Sequence, residues 1–388
     1  MLALLAVAAT APGSADAAPG AGDNFTPLSA RVLHAPEPVR GGDGREHLAY
    51  ELVLTNNSAF PPRPVTVREV IAKAGGRVVR TLAGAKLTEL MEPFGELTAK
   101  TPRTTIRPGG TAKVLLDLAY PAGRRPPRRL DHELVVAPGR KGSVELSRFG
   151  AAPTAVVDRA APVLAPPLRG PGWVVMNGCC DENTSHRHSL LAIDGRLSEG
   201  ERYAIDFVQM TADGRITEGS NKVVANYPFY GDEVLSATAG TVVGAVDDLP
   251  DRAIDFGWLS APFAADAGGN HVVVKVRPGV YAFYAHLIPG SVTVEVGERV
   301  GVGDTLGLLG NSGNSNAPHL HFQLMDGPSP LGSEGLPYTF SSFTAVGRLE
   351  NFPYFFVLGR KARLSGAPRG PRHAQLPLNL QVVDFPRP

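Results

Sequence analysis

The feature that most limits how this chain can fold is a period of two. From about Phe25 to Asp158, short runs of alternating apolar and polar residues are separated by Gly, Pro and Asn clusters, and no helical period is sustained. A chain patterned this way forms sheets. In residues 47–55, Leu48, Tyr50, Leu52 and Leu54 share one strand face and Asn56-Asn57 supplies the turn, so a half-buried strand is expected. Val65 and Val67 alternate with Thr66 and Arg68, Pro108-Gly109-Gly110 leads into the run 113–118, and the run 133–136 follows. Together these predict a small β-sandwich-like domain over 25–160. Arg124-Arg125-Pro126-Pro127-Arg128-Arg129 is the densest basic cluster, and it reads as a solvated, Pro-stiffened loop rather than a grip for an anionic polymer. Residues 161–172, rich in Pro and Gly, read as a linker. A second, mainly β domain is expected over 173–365, with strands at 240–244, 271–276, 280–287 and 305–310. A Pro- and Arg-rich tail over 366–388 carries an apolar run, 376–385, that predicts a terminal edge strand.

Two domains suit the 388 residues, each long enough to bury a core. Lys and Arg number 38 against 37 Asp and Glu, so no global field recruits nucleic acid or an anionic membrane. The apolar run 1–9, followed by Pro12, Gly13 and the small-residue triplet Ala15-Asp16-Ala17, predicts a secretory signal peptide and leader over 1–24, although no Lys or Arg precedes the run. No later stretch reaches the ~20 apolar residues of a membrane span, so the expected location is secreted, on the cell-wall side of the membrane. The two cysteines, Cys179 and Cys180, are adjacent, which excludes a long-range disulfide within one chain. A vicinal disulfide or two loop thiols are expected, with metal ligation near His186 as the alternative. No feature sets the oligomeric state.

Of ten histidines, six lie in the second domain: His186, His188, His271, His286, His319 and His321. In His319-Leu320-His321-Phe322 the two imidazoles, at i and i+2 of a strand, project to one face while Leu320 and Phe322 pack on the other. The preceding loop, 310–318, is built of Gly, Asn and Ser and ends in Pro318, so a substrate backbone can come close.

Residues 310–322, ending Ala317-Pro318-His319-Leu320-His321-Phe322, resemble the signature of the M23 metallopeptidases, the lysostaphin and LytM-like peptidoglycan endopeptidases. Tyr284-Ala285-His286-Leu287 resembles the Tyr-x-His-Leu strand of that family, the glycine-spaced stretch 297–307 resembles its corresponding segment, and Ala204-Ile205-Asp206-Phe207 resembles the strand bearing its metal-binding aspartate. The resemblance spans 173–324. It implies that Asp206 and His321 bind zinc and that His286 and His319 act beside it. In most members the first histidine ligand stands four positions before the aspartate, where this chain has Arg202. His186 is expected in that role over His188, with a hairpin around Asp194-Gly195 separating the ligands.

Two imidazoles and one carboxylate leave the fourth position of a tetrahedral zinc to water, whose pKa falls to about 7. His319 is then placed as general base, and His286 to stabilise the oxyanion or share the proton. The expected activity is that of a secreted zinc metalloendopeptidase acting on peptides of bacterial peptidoglycan. The alternative is a catalytically inactive LytM-like module that binds the wall or activates an amidase. A biotinyl- or lipoyl-carrier reading of the glycine-turned strands at 296–310 lacks the exposed lysine it would need. The first domain is open to three readings: a wall-binding module, an inhibitory cover or a spacer.

Overall fold

The computed structural model describes residues 25–57, 62–94, 102–139, 146–256, 267–366 and 369–387. The signal-peptide expectation over 1–24 lies outside the described residues. The chain is mostly strand, in antiparallel sheets, and the helices among the described residues are short, such as Gly84–Leu90 and Phe352–Phe356. Among the described residues, no helix is long and apolar enough to cross a membrane.

Two five-stranded sheets make the N-terminal sandwich. One runs Ser29–Val32, Glu46–Thr55, Thr111–Tyr120, Met91–Pro93, with Pro38–Arg40 beside the second strand. The other runs Ser147–Ala155, Arg129–Pro138, Val65–Ala74, Arg77–Ala83, with Thr105–Ile106 on the third. Leu48, Tyr50, Leu52 and Leu54 enter the core between the sheets with Val65, Val67, Leu134 and Val136. The strand Glu46–Thr55 is not half-buried as expected, because its other face is covered as well. Ala49 packs into the core of the second domain, and Glu51 pairs with arginines from it. Period-two patterning registers one apolar face; a second domain lying on the polar face leaves no such trace. The arginine run 124–129 is an exposed loop, with its four guanidinium-bearing residues in solvent.

The second domain is built on a 13-stranded sheet, whose central order is Gly170–Met176, Ile205–Gln209, Leu320–Met325, Val280–Leu287, Asn270–Arg277, Gly240–Val246. On one face Ile205, Phe207, Leu320, Phe322 and Leu324 join the main core; Phe322 meets Tyr338 and Phe340 at ring distances of 5.1 and 5.9 Å. The other face is then left to Asp206, His321 and Gln323, the intervening residues of the same strands. The terminal run does not lie at an edge. Gln381–Phe385 pairs with Gly170–Met176 on one side and Thr339–Leu349 on the other. The cause is burial: Val382, Val383 and Phe385 are apolar and enclosed, Phe385 against Phe207 and Phe340, which an edge position would leave half open. The Pro/Gly segment is likewise drawn onto the sheet, where Val163–Leu164 pairs in parallel with Thr339–Leu349.

Candidate metal centre and active site

Sheet register brings most of the candidate residues together. Asp206 stands directly opposite His321 across adjacent strands, and His321 opposite Ala285 on the next, so His286 follows at the end of its strand. Directly opposed residues project to the same face. His319 sits just before the strand Leu320–Met325, with Nε2 3.5 Å from Asp206 Oδ1. His286 adopts a left-handed backbone conformation, φ 66°, which is uncommon for a residue with a side chain and turns it toward His319, the rings 4.5 Å apart.

His186 comes from no sheet. It opens a three-residue 3₁₀ turn, His186–His188, and its Nε2 lies 3.2 Å from Asp206 Oδ2. The intervening chain forms the hairpin Leu191–Ile193 and Arg196–Ser198, with Asp194 and Gly195 both at positive φ (49° and 75°), the two-residue turn that right-twisted strands favour. His188 turns the other way and pairs with Glu92 of the sandwich. One of the ligating atoms of each of His186, Asp206 and His321 falls within 4.8 Å of the others.

Hydrogen bonds to the far side of each ring settle which nitrogen faces inward. His186 Nδ1–H donates to Ala204 O (3.1 Å), His286 Nδ1–H to Ser312 O (2.8 Å) and His319 Nδ1–H to Ala317 O (2.8 Å). A carbonyl can only accept, so the lone pair of each neutral ring is at Nε2. His321 is reversed: Nε2–H donates to Gln323 Oε1 (2.8 Å), whose amide nitrogen donates to Pro330 O, and Nδ1 is 3.0 Å from Asp206 Oδ1. Asn177 Nδ2 donates to Asp206 Oδ2 at 2.7 Å.

His186 Nε2, His321 Nδ1 and the Asp206 carboxylate thus form a group of acceptors that, among the described residues, only the Asn177 amide on Asp206 Oδ2 donates to, and that a cation or extra protons can satisfy. Donors about 2.0–2.1 Å from a tetrahedral zinc stand roughly 3.3 Å apart, and the separations of 3.0 and 3.2 Å match that edge. The anchored rings behind the donors are the outer hydrogen bonds such ligands use. Electrostatics agree. Burial by itself would lower the His186 pKa, yet the charge and hydrogen bond of Asp206 outweigh it and push it up to about 9. Burial opposes ionisation of Asp206 too, and the charges of His186 and His319 hold it well below the usual carboxylate range. His286 is driven well below its ordinary value by burial and by the neighbouring His319 and His321.

The five residues line a groove of about 1000 Å³, together with Leu191, Ile193, Leu331, Phe256 and Asn316. Cys179 and Cys180 are joined to each other in a disulfide and are not among the ligating atoms of this cluster. His271 packs on Phe283 and bonds Gly269 O, at the margin of the groove. Sequence reasoning missed Asn177, Ser312 and Gln323. Gln323, two residues beyond His321 on the same strand face, carried a readable signal; the others hold the site through loops.

A groove floored by an antiparallel sheet, with two imidazoles, one carboxylate and two flanking histidines, offers the donor set that an open, three-donor metal centre would need. Residues 222–332 match the model of peptidase family M23. It is 38% identical over 87 residues to the glycyl-glycine endopeptidase ALE-1 of Staphylococcus capitis, covering 22% of each chain. It is 36% identical over 87 residues to lysostaphin of Staphylococcus staphylolyticus, covering 22% of this chain and 16% of that one. The chain therefore spans about a fifth of the length of these relatives. The catalytic domain of lysostaphin from Staphylococcus simulans is 26% identical, covering 37% of this chain and 80% of that one, with a TM-score of 0.22. His286, His319 and His321 fall inside the family match, whereas His186 and Asp206 precede it.

Proposed function

We propose that this protein is an exported zinc endopeptidase that hydrolyses peptide bonds of bacterial peptidoglycan, with His186, Asp206 and His321 holding the metal. The observation that carries the reading is the acceptor-only triad open to a groove, flanked by two further imidazoles with inward lone pairs. The M23 domain and the named activity of the S. capitis relative, a glycyl-glycine endopeptidase, support an amide bond as the target. Export rests on the apolar run and small-residue triplet at 1–17. The inactive wall-binding alternative is not favoured, because the donor set and both flanking histidines are all present.

Held by His186, Asp206 and His321, zinc would supply an acidified water and a Lewis acid for the peptide carbonyl. His319, fixed through Nδ1 on Ala317 O and Ser315 Oγ, keeps Nε2 as the base that takes the second proton and returns it to the leaving amine. His286 is anchored in the tautomer whose inward nitrogen accepts, so sharing that proton suits it better than donating to an oxyanion. Asp206 remains ionised and offsets positive charge in the centre.

Metal analysis of the purified protein combined with peptidoglycan digestion tests both halves of the reading. The expected result is about one zinc per chain, released amino termini from wall peptides, and loss of both in His321→Ala. Full zinc occupancy in His321→Ala would overturn the site, and zinc binding without any released amino termini would overturn the substrate.

A further inference from the structure

Asp206 and His321 are held by sheet register, but His186 sits in a single three-residue turn that has little stability of its own. What holds it comes from the other domain. Glu51, on the polar face of the sandwich strand Glu46–Thr55, is fully buried and binds an arginine at each end of the excursion between the two ligands. Arg187, the residue after His186, donates through Nη2 to Glu51 Oε1 at 3.1 Å. Arg202, four residues before Asp206, donates to Glu51 Oε2 through Nε at 2.9 Å and Nη2 at 2.7 Å. Arg202 stands where the family resemblance expected a histidine, and its guanidinium turns away from the metal triad to this carboxylate.

Both arginines are enclosed, at 0% and 2% exposure, so neither has bulk water in place of Glu51. Arg202 has a second anion in Glu334, whereas among the described residues the Arg187 guanidinium otherwise reaches only the carbonyls of Tyr50 and Leu116. Its Nε and Nη1 have no hydrogen-bond partner among the described residues, which leaves Glu51 as the charge that compensates it. Lys113, also on the sandwich, donates to Arg187 O at 3.2 Å and pairs with Glu199 further along the excursion. A buried guanidinium deprived of its anion must move or draw in water, and either displaces the adjoining His186.

Resting on the proposed reading of His186, Asp206 and His321 as ligands, we infer that Glu51 is a positioning residue for the metal centre: through it the N-terminal sandwich holds the third ligand, and the site belongs to both domains. The sandwich is thereby neither a spacer nor a cover, but part of what sets metal affinity.

The test is zinc affinity of the full chain, read by competition with a chromophoric chelator well below the melting temperature. Glu51→Gln and Arg187→Met should each weaken zinc binding about 10-fold or more, in the range outer-shell partners show. Leu54→Ala, which loosens the sandwich core without touching the clasp, should lower the melting temperature and leave zinc affinity unchanged. Arg187→Met keeps the Glu51–Arg202 pair, so it decides the matter if Glu51→Gln does not fold. Wild-type affinity in the clasp variants, or equal weakening in Leu54→Ala, would overturn the inference. His321→Ala, run alongside, should lose zinc outright; if it does not, the ligand reading itself fails.

Discussion

At the scale of single residues, the proposed reading gives the metal to His186, Asp206 and His321, whose ligating atoms cluster, and proton transfer to the flanking His319 and His286. His319 stands beside Asp206 but outside the group of ligating atoms formed by His186, Asp206 and His321, so His319→Ala should keep its zinc and lose ~10²–10⁴-fold in kcat, the usual worth of a general base. Metal content and turnover measured on one preparation check this, and zinc loss would make His319 a ligand. His186→Ala should lose zinc and activity, whereas His188→Ala should keep both, because its ring faces Glu92 on the sandwich. Sequence alone left that choice between two histidines on spacing. The turn His186–His188 supports His186, because residues two apart diverge there, one ring toward Asp206 and the other toward Glu92, whereas in a strand they would face the same way.

At the scale of elements, the loop 310–318 matters for its backbone more than for its freedom. Ser312 offers its carbonyl to His286 while its hydroxyl donates to Leu287 O and accepts from the backbone N–H of Asn270. Gly313 adopts φ 72°, and a Cβ there would come within 2.2 Å of Gly269 N and 2.5 Å of its Cα. Gly313→Ala should therefore cost about 1–3 kcal/mol in stability and shift the Ser312 carbonyl, reducing kcat while zinc stays bound. Calorimetry and zinc analysis on the variant test this; unchanged kcat would show that the His286 anchor tolerates movement. The Asp194-Gly195 hairpin was legible because its turn type demands residues that accept positive φ. Its place as a groove wall was not, since Leu191 and Ile193 look like any strand pair until the loop bearing Leu331 comes alongside.

At the scale of the whole molecule, the interface between the domains carries buried charge that should make stability depend on pH. His47, on the same strand face as Glu51, is bonded by Asp117 at Nδ1 (3.0 Å) and Asp43 at Nε2 (3.2 Å). Burial would lower its pKa, but the hydrogen bonds and charges of the two carboxylates raise it from 6.5 to about 9. A folded pKa above the unfolded one means that the protonated pair stabilises fully below about pH 6.5, and that this stabilisation is lost as pH rises through about 9. The melting temperature of the wild type should exceed that of His47→Gln at pH 6 and converge with it by pH 10. A constant gap would show that the contribution is packing and not charge.

The sequence by itself determined the sheet-rich fold, the strands that bear His286 and His321, and the loop before His319, because each of these is written in local period and turn chemistry, whereas the strand of Asp206 was read from its family resemblance. Only the tertiary structure decided the rest. The terminal run 381–385 became an interior strand because its neighbours, 170–176 and 339–349, are far away in sequence. The polar face of residues 46–55 became an interface because a second domain lies on it, and Glu51 acquired its arginines 136 and 151 positions away. Alternation tells which side of a strand is apolar, but a buried carboxylate and an exposed one are spelled the same, and only the packing of distant segments separates them.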